Sequence, residues 1–388
     1  MINNIIPPDL NVNMVKKFFS CQICDIFSGN IHTQSKYSSG DIVNTLWNST
    51  ALKMYIETYV RNYNTIHRPS TAPMFKRLYE AAINNGISML TMLIDNTVKM
   101  GIGLGAFNYP VNVAIDEHDE PYTGKDNPYL IDAPFHKFRG TDMAYRFATL
   151  DCVSNNRFTL AGMVKHQLDG IDNAKEVRML IEHALSLGIK INTVLMDRGY
   201  LDSDVMNAVA PMKLKYIIPA KDNSKVIKFK EMALKYCKDK YGNEFSFIVI
   251  RDSIGSIKKA NANFVRIVYY SHKKHDFSFY TSIDVNENNV IELAELYRKR
   301  WGIENGYQER KLDIREKTHS SHMIIRQFLY FFSIPVYNLW LLINLITLTL
   351  HIFREQFRFQ IKDFSKFPDF LRYLCHYNSI TNISKVYL

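Results

Sequence analysis

Between residues 111 and 220 the chain alternates short aliphatic runs with helical stretches, and that succession limits the folds open to it. Val111-Asn-Val-Ala-Ile-Asp116 is a β-like run ending in an acid, followed by the turn-rich Glu117–Gly124. Met143–Val153 and Arg157–Val164 read as two more strands, joined by the hairpin signal Ser154-Asn-Asn156. Asn173–Leu187 has helical spacing, with Gly188 as its C-terminal stop. Ile191–Met196 is a further strand, again followed by an acid, Asp197. Ser203 is placed to cap a short helix over Asp204–Val209, and Leu214–Ala220 is a fifth strand. Three strands, helix, strand, helix, strand predicts an α/β fold with a mixed sheet covered by helices.

The flanks differ in character. Residues 1–105 are mainly helical, with apolar residues at helical spacing over Val43–Val60 and Phe75–Met100 and polar breaks around Asn62–Pro73. After residue 222 the core is interrupted. Lys228–Lys240 reads as a basic helical stretch, and Phe245–Arg251, Phe264–Tyr270 and Phe277–Ile283 read as strands of a β-rich insertion ending near 288. Residues 289–388 then return to helix. Phe328–Phe353 is long and apolar enough to span a bilayer, yet it contains Ser333, Pro335, Asn338, Asn344, Thr347 and Thr349. A buried core helix accounts for that mixture, so no membrane association is expected.

One segment stands out chemically. From Tyr297 the chain reads Tyr-Arg-Lys-Arg-Trp-Gly-Ile-Glu-Asn-Gly-Tyr-Gln-Glu-Arg-Lys311. On a helix advancing about 100° per residue, Tyr297, Arg300, Glu304 and Lys311 fall within roughly 60° of one another. A carboxylate between fixed cations, framed by apolar neighbours such as Leu293, Leu296 and Ala294, suits a metal-dependent phosphate site. Gly302 and Gly306 each cost such a helix about 1 kcal/mol relative to Ala, which makes Lys311 the most dependent on helix regularity.

Asp116 and Asp197 supply partners for that stripe. Ligand groups in α/β sheets gather at strand ends, and two such acids with Glu304 give three carboxylates for hard divalent cations. An acid after a strand is by itself an ordinary turn residue; the pair together with the stripe favours the functional reading. Glu117, Asp119 and Glu120 compete with Asp116, and Asp202 and Asp204 with Asp197; position at the strand end selects Asp116 and Asp197. His319 and His322 remain open between surface residues and ligands.

A formal net charge of +10 suits a polyanionic partner. The five cysteines are too few and scattered for a disulfide framework and fit a reducing cytoplasm. Cys21-Gln-Ile-Cys24 has the spacing of half a zinc site, but no second close pair follows, and two buried thiols account for it. No signal peptide is visible at the N-terminus.

These residues resemble the DDE transposases of insertion sequences that carry a Tyr-x2-Arg-x3-Glu-x6-Lys signature. Tyr297, Arg300, Glu304 and Lys311 match that spacing in full. Met196-Asp-Arg-Gly-Tyr200 is similar to the segment around the family's second aspartate, and Ile115-Asp-Glu-His-Asp-Glu-Pro-Tyr-Thr-Gly124 to that around the first. The resemblance runs from about residue 110 to 345. It implies a ribonuclease H-like catalytic core in two parts, 106–222 and 289–388, split by the insertion at 223–288. It also implies that Asp116, Asp197 and Glu304 are catalytic and hold two Mg²⁺ (or Mn²⁺), while Tyr297, Arg300 and Lys311 contact DNA phosphates. The partners implied are the element's terminal inverted repeats and target DNA, with at least a homodimer assembled on DNA at the nucleoid. Residues 1–105 are then the candidate for recognising the element's ends. A structure-selective nuclease on the same fold and a non-catalytic transposase-derived DNA-binding protein are the other readings.

Overall fold

The structure, a computed structural model, describes residues 21–28, 37–63, 69–132, 138, 140–153, 157–165, 172–220, 227–228, 232, 235–255, 263–272, 275–300 and 318–353. It divides into two compact units, one of Met1–Asn108 with Asn305–Leu388 and one of Tyr109–Glu304.

The first unit opens with helices α1 (21–28), α2 (Ser39–Ala51), α3 (Ile56–Asn62), α4 (Thr71–Ala81) and α5 (Ile87–Gly103). Ser38 caps α2 in a reciprocal capping box with Asp41, which satisfies two otherwise orphaned backbone donors. Between α4 and α5 a π-turn at Ala82–Gly86 breaks helical geometry, with Asn85 at φ 68°. The pair at 21–24 departs from expectation: Cys21 is exposed and Cys24 only half-buried, because Ile23, Ile26 and Phe27 take the buried face of α1.

Among its described residues the second unit has ten strands: β1 (Val111–Pro121), β2 (Ile131–Asp132), β3 (Met143–Cys152), β4 (Thr159–Lys165), β5 (Ile191–Met196), β6 (Lys215–Pro219), β7 (Lys235–Lys238), β8 (Glu244–Ile254), β9 (Asn263–His272) and β10 (His275–Thr281). They form one sheet in the order β2-β3-β1-β5-β6-β10-β9-β8-β7, with β4 pairing β3. β1–β5 and β5–β6 run parallel; the other pairings are antiparallel. The crossovers are helical: α6 (Asn173–Ser186) leads into β5 and α7 (Ser203–Val209) leads from β5 toward β6. α8 (Val290–Arg298) follows β10. This is the mixed, helix-covered α/β sheet that the order of elements predicts.

Three local expectations are corrected. β1 continues through the acids to Pro121, because each residue from Asp116 onward still pairs with β3. The cap of α7 is Asp202, whose carboxylate accepts the Asp204 amide at 2.7 Å, with Ser203 the first helical residue. Residues 235–238 are strand β7 on the edge of β8, not helix; cross-strand pairing overrides the local preference of this lysine-rich stretch. The strands after residue 222 are also continuous with the core sheet, since β10 pairs directly with β6.

The last described element, α9 (Met323–Phe353), belongs to the first unit and packs on α5. By length and composition Met323–Ile346 could cross a membrane, but most of it is buried inside the protein. Its polar residues are accommodated: Asn338 donates to Thr97 Oγ1 at 3.0 Å and Ser333 to its own helix at the Tyr330 carbonyl.

Candidate active site

Asp116 and Asp197 are brought together by the parallel pairing of their strands. The register ends at Ile115↔Met196, so the next residue on each strand is the aspartate. Beyond this point β5 leaves the sheet in a short 3-10 turn at Arg198–Tyr200, held by the Tyr200 amide on the Asp197 carbonyl at 3.0 Å. β1 instead runs on against β3. The two carboxylates are therefore neighbours where the parallel pair splays apart.

A single guanidinium meets both. Arg300 Nη1 lies 3.3 Å from Asp116 Oδ2 and Nη2 lies 3.7 Å from Asp197 Oδ1. Asp116 Oδ1 accepts the Glu117 amide at 3.0 Å. Arg300 is almost fully buried, with a relative exposure of 6%, while the Asp197 side chain is 49% exposed. Tyr297 closes the other side: its hydroxyl accepts Arg300 Nε at 3.0 Å, and its ring stacks on Phe277 at 5.0 Å. Burial pushes the Tyr297 phenol up to about 12, with the Arg300 charge pulling it back.

α8 ends at Arg298, and the Arg300 amide bonds to the Tyr297 carbonyl at 2.9 Å, a tighter three-residue turn. Tyr297 and Arg300 still face each other, but across that turn. Glu304 and Lys311 lie outside the described residues, as do Trp301, Gly302 and Gly306.

The acids that compete with the two aspartates are engaged elsewhere. Asp119 pairs with Arg146, its neighbour in the β1–β3 register, at 2.7 Å. Glu117 lies 3.2 Å from Arg146 and 2.6 Å from Lys165. Lys165 also stands 2.9 Å from Glu176, which is fully buried on α6 and accepts the Tyr200 hydroxyl. Burial works against the Lys165 ammonium, but Glu176 and Glu117 outweigh it and hold its pKa above the ordinary lysine value. Sequence reasoning passed over this network. Its one legible trace is Glu176, an acid on the same helical face as Val177, Leu180, Ile181 and Ala184.

Among the described residues no group of three or more metal-ligating side chains occurs. Two carboxylates, those of Asp116 and Asp197, are present within reach of one guanidinium. Hard carboxylate oxygens of this kind fit Mg²⁺ or Mn²⁺. His319 and His322 lie in the first unit, against Tyr55 and Tyr79 respectively.

Residues 158–338 match the family model of the transposase DDE domain, a span that contains Asp197, Tyr297 and Arg300 and begins after Asp116. No curated protein matches the chain. Among solved structures the chain is similar to the piggyBac transposase in its synaptic complex with hairpin DNA, at 10% identity and a TM-score of 0.57, covering 94% of this chain and 79% of that one. The chain thus has the ribonuclease H-like transposase fold, and nearly half of its length is similar in sequence to the transposase DDE domain.

Proposed function

We propose that the protein is a DNA transposase of an insertion sequence, with Asp116, Asp197 and Glu304 as its catalytic carboxylates. The observation that carries this reading is the adjacency of Asp116 and Asp197 at the end of the β1–β5 pairing, under a shared guanidinium. The likeness to the transposase DDE domain over residues 158–338 supports it.

In this reading Asp116 and Asp197, with Glu304, would hold Mg²⁺ or Mn²⁺. Bound ions of this class supply a more acidic water and stabilise charge on the leaving oxygen. The chain's own groups orient the substrate. Arg300, with five fixed donors, is suited to exchange carboxylate for phosphate oxygens as DNA enters, and Tyr297 holds its Nε edge in place. Lys311 adds a further phosphate contact. Water breaks the P–O3′ bond at an element end and leaves a 3′-hydroxyl. That hydroxyl attacks a target phosphodiester, releasing a target 3′-oxygen, so each bond broken is matched by one formed and no ATP is required. Two ends joined in one event call for at least a dimer on DNA, and residues 1–105 are the candidate for reading the terminal repeats.

The test is incubation of the full chain with duplexes carrying the DNA that flanks the gene, in Mg²⁺. Joined products support the transposase. Nicks without joining would replace it with a nuclease, and binding without cutting with a non-catalytic DNA-binding protein.

A further inference from the structure

The network that passes behind the aspartates does more than neutralise charge. Consecutive residues of a strand face opposite ways, so Glu117 points to the side of β1 away from the Asp116 carboxylate. On that side Lys165, the last residue of β4, gathers three acceptors. It donates to Glu117 Oε1 at 2.6 Å and to Asn173 Oδ1, and stands 2.9 Å from Glu176 Oε2. The first two contacts are hydrogen bonds, and the third is an ion pair with a fully buried carboxylate.

Each acceptor leads on to a different piece of the site. Glu117 is covalently next to Asp116. Asn173 donates from its amide nitrogen to the Gly199 carbonyl at 3.2 Å, two residues after Asp197. Glu176 accepts the hydroxyl of Tyr200, which is 3% exposed and closes the same turn through its amide. The turn after Asp197 is thus tied at two points to α6, and α6 is tied through one lysine to the strand bearing Asp116. Arg146 completes the frame by holding Glu117 and Asp119 on β1.

We propose that Lys165 is a positioning residue: through Glu117, Asn173 and Glu176 it fixes the separation of the Asp116 and Asp197 backbones and so sets the affinity of the pair for a divalent cation. The metal part rests on the function proposed above; the positioning part does not. Contacts that lie behind ligating groups and orient them commonly change metal affinity by 10–100-fold. A plain salt bridge would contribute to folding alone.

The distinguishing experiment uses Lys165→Met and the double variant Lys165→Met/Glu176→Gln in the full chain. The single variant strands Glu176 as a buried, unpaired carboxylate and should lose thermal stability. The double variant removes both charges, leaves Glu117 with Arg146, and should recover most of that stability. Two readouts are then taken on the double variant: Mn²⁺ affinity by titration, and hydrogen exchange at the Tyr200 and Leu201 amides, which close the turn. The proposal expects Mn²⁺ affinity at least about tenfold weaker than wild type, with faster exchange in the turn and unchanged protection in β5. A stable double variant with wild-type exchange at Tyr200 and Leu201 would overturn it, as would wild-type Mn²⁺ affinity. If the wild-type chain binds no Mn²⁺, the metal reading fails, and the exchange result alone decides whether Lys165 positions the turn.

Discussion

Arg300 carries the charge balance of the two aspartates, and its contacts make its role measurable. It is buried, it reaches both carboxylates, and it is braced by the Tyr297 hydroxyl. Replacing it by Gln removes the shared positive charge. Because Asp197 is half exposed, screening by water discounts the loss, to about 1–2 kcal/mol. Urea denaturation of Arg300→Gln in EDTA should show that deficit, and added Mg²⁺ should narrow it; an unchanged midpoint in EDTA would contradict the account. Tyr297 makes a second prediction. Its phenol is pushed up to about 12 by burial, as is that of Tyr216. A phenol whose folded pKa exceeds its unfolded value of about 10 contributes stability that is complete below pH about 10 and is lost as pH rises through about 12. Ultraviolet titration of wild type should therefore reveal a late-ionising class of tyrosines, with one fewer member in Tyr297→Phe. Equal late fractions in the two proteins would refute that assignment.

Elements explain which parts of this arrangement can be read from the chain. β5 and the acid after it were legible because the buried end of this parallel strand, Val194-Leu-Met196, is an aliphatic run with a sharp end. α6 was legible from its apolar stripe and from Gly188, which adopts φ 88° just past the helix. The continuation of β1 was not, because Glu117, Asp119 and Glu120 look like turn residues until Arg146 and Lys165 are placed opposite them. The same holds for β7, whose identity comes from its partner and not from its own residues. Gly86 tests an element junction. A Cβ there would sit 2.2 Å from the Ala81 carbonyl oxygen and 3.1 Å from the Phe328 ring. Gly86→Ala should lower stability by about 1–3 kcal/mol in urea denaturation, a cost of overpacking. No loss would mean that the π-turn can relax.

At the scale of the molecule, the sheet of the second unit runs without a break from β2 to β7 through the β6–β10 pairing. Phe279 sits fully buried at that junction, opposite Pro219. Phe279→Ala should cost about 3–5 kcal/mol, and hydrogen exchange should speed up in β6 as well as in β9. Acceleration confined to β8, β9 and β10 would show that the later strands fold as a separate module. The α/β class and the helical flanks were legible from the order of elements alone, since each apolar period demands a matching partner layer. That order could not reveal how far the later strands extend the core, because pairing between β6 and β10 joins residues far apart in the chain.

The central claim is that Asp116 and Asp197 form the chemical centre of a DNA-cutting and joining enzyme. Its most direct measurement is cleavage by Asp197→Ala on element-end DNA in Mg²⁺, with binding to the same duplex followed in parallel. The account predicts that cutting is abolished while binding stays close to wild type. Cutting at the wild-type rate by Asp197→Ala would contradict it.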